Sequence, residues 1–155
     1  VRRGFRSLTI AGIRDPRAIA ELDAIEQGVR QAVAGNLKGI LNEDQYTLRF
    51  LRYGVDGVTG SIETAPLPLP REAGLLIEAI AQTPELADTV ISLARSSALH
   101  QAFPNRKATA GNLAFPFSPS DFRGGEVFEF ALYHLLDTVG LQLDFKAELI
   151  SIGDC

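Results

Sequence analysis

Hydrophobic and polar positions along the chain alternate between two periods. Phe5–Ile13 (FRSLTIAGI) is apolar and partly β-branched, which predicts a buried strand. Asp15-Pro16 then pairs a helix cap with proline at the first helical position. Ile19, Leu22, Ile25, Val29 and Val33 follow at spacings of three and four, one helical stripe that Gly35-Asn36 and Gly39 terminate. Tyr46–Tyr53 (YTLRFLRY) reads as a half-exposed strand. Glycines 54, 57 and 60 mark a turn, and Pro66, Pro68 and Pro70 bar helix before each of them. Gly74–Ala81 (GLLIEAIA) is a second buried strand. Thr83-Pro84-Glu85 repeats the cap-plus-proline start, and Leu86, Val90, Leu93, Ala94 and Ser97 predict a helix to about Ala102. A long polar stretch, Phe103–Glu126, precedes a fourth strand expected over Val127–Leu136. Phe145–Ile152 reads as an extra C-terminal strand, added at an edge or leading into a further segment.

The order β, α, β, β, α, β is the split βαβ pattern of an α+β, ferredoxin-like sandwich, an antiparallel sheet with two helices on one face. The two most continuously apolar strands, the first and third, are the central ones in that fold. The outer pair carries Arg49, Arg52, Glu129 and His134. A parallel three-layer sheet would need a helix between Tyr46 and Ala81, where glycine and proline forbid one.

That topology brings three connections to one end: Gly12–Pro16, Tyr53–Glu72 and Phe103–Glu126. They are the segments richest in glycine, proline and polar residues, and loops at one end of a rigid scaffold are where sites form. The third is the most distinctive. Phe115 and Phe117 are expected to pin it, leaving Asn112, Ser118 and Ser120 to face a ligand. The competing reading has Ser118 and Asp121 bonding their own turn and Asn112 capping a strand. Arg14 is placed to pair with a ligand carboxylate, or equally with a surface acid. Asp15 reads as a cap, and Asp56, between glycines, as a turn residue. His100 and Asp121 are the candidate proton carriers, although a His in a last helical turn is also explained by the helix dipole.

Composition narrows the classes. The 155 residues suit one domain, spanning 1–155, and 46% are hydrophobic, so the chain has ample means to build a core. A net charge of −4 and the lack of an aromatic-basic strand signature argue against nucleic acid. No run approaches the roughly 20 apolar residues of a membrane span. The one cysteine, Cys155, allows no internal disulfide and suits a reducing compartment, so a cytoplasmic location is expected. Of the 15 basic residues only Lys38, Lys107 and Lys146 are lysine. Arginine of that abundance suits bidentate pairing with carboxylates or phosphates, or reflects nothing more than base composition. No HExxH, CxxC, P-loop, GxSxG or GxGxxG occurs, so no metal is expected and no cofactor is indicated. The first residue is Val, which leads us to expect a piece of a longer protein.

Three segments together resemble the acyclic terpene utilisation (AtuA-like) family of bacteria and fungi: LTIAGIRDPRAIAELD (Leu8–Asp23), YGVDGVTG (Tyr53–Gly60) and ATAGNLAFPFSPSD (Ala108–Asp121). The resemblance covers most of the chain, and the last segment is the most specific. Members are several times longer, so it implies that this chain is one part of such a protein. It also implies a place in catabolism of citronellol- and geraniol-type isoprenoids, whose intermediates are acids and acyl-CoA thioesters. It assigns no catalytic residue. Three functions follow as expectations. One is an enzyme domain closing over an acidic or acyl-CoA substrate beside the rest of a larger protein or a second subunit. The others are a homo-oligomeric assembly module and a small-ligand regulatory domain.

Overall fold

The structure, a computed structural model, describes residues 1–60, 68–108 and 112–133. Strand β1 (Arg2–Ile13) runs through the middle of a four-stranded sheet whose order is β2-β3-β1-β4, with β2 at Tyr46–Tyr53, β3 at Ala73–Ala81 and β4 at Asp121–Phe128. Every neighbouring pair is antiparallel. The central strands are the two apolar ones and the outer strands the two mixed ones, as an α+β, ferredoxin-like sheet requires.

The helices cover one face. Helix α1 (Pro16–Ala20) starts at Asp15, whose Oδ1 accepts the Arg17 N–H at 3.0 Å. The stripe read as one helix forms two. The Glu21 N–H is shared between the Arg17 and Ala18 carbonyls, a tight turn that closes α1 before α2 (Leu22–Leu37) begins. The buried stripe nevertheless runs unbroken through Ile19, Leu22, Ile25, Val29 and Val33. Helix α3 (Pro84–His100) starts where the Thr83 side chain accepts the Leu86 N–H. Val29 and Val33 of α2 and Val90, Ile91 and Ala94 of α3 form one core with Leu48, Leu75, Ile77 and Ala79 of the sheet.

Two buried hydroxyls of β1 fasten the layers. The Ser7 hydroxyl donates to Asp88 of α3, and the Thr9 hydroxyl donates to the Ser120 carbonyl at 2.9 Å. Both side chains are fully buried, so each bond also satisfies a group that burial would otherwise penalise.

The fourth strand corrects the sequence reading. It occupies Asp121–Phe128, six residues before the expected start at Val127, and Glu129–Tyr133 lie in no element. The apolar run from Val127 pointed to the wrong segment. Pairing with β1 selects instead a polar edge segment containing Gly124-Gly125, where the register shifts between Arg6 and Ser7. Gly125 at φ +82° supplies the backbone that this bulge demands. Tertiary pairing thus overrides local β propensity. The expected Phe145–Ile152 strand, His134 and Cys155 lie outside the described residues.

Candidate functional site

At the end of the sheet where β1 stops, register places Tyr53, Gly74 and Gly12 side by side across β2, β3 and β1. The segment following α3 joins this row. The Gly12 N–H donates to the Ala114 carbonyl at 2.8 Å, and the Ala114 N–H donates back to the Gly12 carbonyl at 2.9 Å. The long third connection is therefore stitched to the end of β1. Phe103 is buried and Leu113 packs on the core. Of the two aromatics expected to pin the segment, Phe115 is half-buried, whereas Phe117 is 56% exposed and meets the edge of Phe122 in β4, 6.2 Å between ring centres.

A cleft of about 710 Å³ opens over this row, lined by Gly12, Arg14, Asp15, Glu72, Asn112 and Ala114, among others. Its floor is backbone. A Cβ on Gly12 would meet nothing closer than the Ala114 Cβ at 3.9 Å, and one on Gly74 only the Tyr53 Cβ at 3.6 Å. There is room for side chains here, and their absence is what leaves the floor low. Arg14 stands at the rim. Its Nε lies 3.8 Å from Glu72 Oε1, and both side chains are largely exposed. A pair that long and that wet is worth at most about 1 kcal/mol, so a ligand carboxylate can displace Glu72 at little cost. Asp15 is committed to its cap and to Arg17. The Asn112 amide donates to the Ala108 carbonyl at 3.4 Å.

Of the six residues singled out from sequence, Arg14 and Asn112 meet in this cleft, while His100, Ser118, Ser120 and Asp121 do not line it. Both Asp121 oxygens accept the Arg95 Nε–H, at 2.8 and 2.9 Å. Ser120 gives its carbonyl to Thr9, and Ser118 is exposed, preceding Pro119. His100 ends α3, where its carbonyl accepts an Arg106 guanidinium N–H at 2.6 Å. Asp56 lies at the same end of the sheet but turns toward the helices, paired with Arg52.

Sequence reasoning missed two charged clusters. Arg52 is ringed by Asp23, Glu26 and Asp56. Its hydrogen bond to Asp56 raises the guanidinium's already high pKa. Burial pushes the Glu26 carboxyl up, an effect that Arg52 and Arg30 reduce without cancelling. The second cluster is Glu78, 5% exposed, which accepts from Arg6 on one oxygen and from Arg49 at 3.1 Å on the other. A signal for it was present, since Glu78 is the one charge in an otherwise apolar run. On the other side of the sheet, burial tends to raise the Asp88 carboxyl, but hydrogen bonds from Arg123 and Ser7 prevail and hold it below the usual range.

Among the described residues no group of three or more His, Cys, Asp or Glu is placed to hold a metal, and no helix is long and apolar enough to cross a membrane. No protein-family model, curated protein or solved structure matches the chain.

Proposed function

We propose that this chain binds a small carboxylic acid, free or as its acyl-CoA thioester, and presents it to the remainder of a longer protein or to a second subunit. The observation that carries this reading is Arg14, a guanidinium loosely held by Glu72 above a glycine floor. Planar, forked donors of this kind suit carboxylates and phosphates, so Arg14 would hold the carboxylate of a free acid or, since a thioester has none, a phosphate of the CoA moiety. The resemblance to AtuA-like proteins adds a substrate class, acids of acyclic isoprenoid catabolism. Two of the three segments that carry it, those containing Arg14 and Asn112, border the cleft. The role assigned to the chain is binding and orientation. Arg95 takes both oxygens of Asp121, which favours a structural part for that carboxylate over proton transfer.

Calorimetric titration with geranic acid and its CoA thioester tests the reading. Binding to the native chain should weaken about tenfold or more in Arg14→Ala, the loss of one charge-assisted contact. Equal affinity in the two proteins would refute it.

A homo-oligomeric assembly module is a second reading. It is favoured by Phe128, Phe130, Leu132 and Tyr133, all more than two-thirds exposed in and just after edge strand β4. A species that stays monomeric in light scattering at high concentration would exclude it.

A further inference from the structure

Among the described residues the helices cover one face of the sheet. Ser7, Thr9, Ala11 and Ile13 of β1 are buried toward them, so alternation sends Arg6, Leu8, Ile10 and Gly12 to the opposite face. Register extends each of these positions into a row across the sheet. Gly12 lies beside Gly74, and Gly74 beside Tyr53. Ile10 lies beside Leu76, and Leu76 beside Leu51. In the following row Leu8 lies between Glu78 and Phe122, and Arg49 pairs with Glu78. The face thus has a polarity along the strands. The Arg14 cleft stands at one end, an uncharged and largely apolar strip follows, and the Arg6–Glu78–Arg49 cluster closes the strip. The helices pack instead on the alternate positions, where Val29, Val33, Val90 and Ile91 share one core with Leu48, Leu75, Ile77 and Ala79. Ile10, Leu51 and Leu76 are only partly buried, although a covered strand would bury them completely.

We infer that this strip is the subsite for the hydrocarbon tail of an acid whose carboxylate pairs with Arg14, so that the ligand is an amphipathic, medium-chain acid. The inference rests on the acid-binding reading of the cleft. Charge complementarity at the rim fixes the head, and the continuous floor of Gly12 and Gly74, between Tyr53 and Ala114, lets the chain leave the cleft along β1 and β3. The far end sets a length limit. From Gly12 to the row of Leu8 and Glu78 is four residues of strand, about 13 Å at about 3.3 Å per residue. A longer tail would have to lie on Arg49, whose guanidinium is half exposed and would lose water without gaining a partner.

The test is a chain-length series of straight-chain acids, acetate, hexanoate, decanoate and palmitate, titrated calorimetrically into the native chain. Affinity should rise about two- to fourfold per methylene from acetate to decanoate, as burial of hydrocarbon requires, and then level off before palmitate. Ile10→Thr and Leu51→Thr, both compatible with strand, should flatten that slope. If affinity is independent of chain length but still falls in Arg14→Ala, the tail subsite is refuted while the acid-binding reading stands. If no acid binds, both fall. Flat affinities together with a dimer that decanoate leaves intact would assign the strip to a second copy of the chain and refute the inference.

Discussion

Glu26 is the residue at which burial and pairing disagree most openly. Arg52 Nε lies 3.6 Å from its Oε1, yet that oxygen is buried without a hydrogen bond. Burial raises the carboxyl above its ordinary value of 4.5 because Arg52 is already bound by Asp56 and Asp23. The folded state therefore holds the Glu26 proton more tightly than the unfolded state does. Both states are protonated well below the ordinary value, so there the group costs nothing. Above the raised value both are ionised, and the folded state carries the full penalty. Glu26→Gln should accordingly stabilise the protein at neutral pH, with the gain fading as pH falls through the raised value and absent well below 4.5. Denaturant titrations of both proteins across that range measure it. A loss of stability at neutral pH would mean that the Arg52 attraction prevails after all. Asp88 has the opposite sign. Its lowered pKa contributes stability that is present above the ordinary carboxylate range and lost as pH falls through the lowered value.

Elements were legible where one period held without interruption. The stripe from Ile19 to Val33, the alternation in β2 and the paired cap-and-proline starts at Asp15 and Thr83 all carry purely local information. Local information fails at β4. Its polar residues are chosen by partners far away in sequence, Arg123 by Asp88 and Glu85 and Asp121 by Arg95. The division of α1 from α2 at Glu21 has no breaker residue in the sequence to announce it. The other end of β1 carries a similar long-range demand. Gly4 sits at φ +147°, where the register with β4 shifts, and a Cβ there would lie 2.2 Å from the Ala81 carbonyl oxygen. Backbone and neighbour must both move for any side chain to fit. Gly4→Ala should therefore destabilise by about 2–3 kcal/mol, read from the shift in the unfolding midpoint with an unchanged denaturant slope. A shift near zero would show that this edge yields freely.

At the scale of the whole molecule, the sheet separates two tasks. The helix side holds the core and its satisfied hydroxyls, and the end beyond Gly12 holds the cleft. Topology alone was enough to bring distant loops to that end, because strand directions follow from element order. It could not decide which side chains would share one cavity there. Arg14 and Asn112 do so because the bridge between Gly12 and Ala114 draws the third connection onto β1. Asp56 and Asp121 turn instead to arginines on the helix side, Asp56 to Arg52 only four residues before it and Asp121 to the distant Arg95. The low floor of the cleft was equally hidden, since two isolated glycines on different strands become neighbours only through register.

The central claim is that an acid binds over that floor. The most direct measurement is a nuclear magnetic resonance titration of the isotope-labelled chain with hexanoate, following backbone amides. The account predicts saturable shifts at Gly12, Arg14, Gly74, Asn112 and Ala114, with Gln45 and Gln82 at the opposite end unmoved. Shifts confined to that opposite end, or none at all, would contradict it.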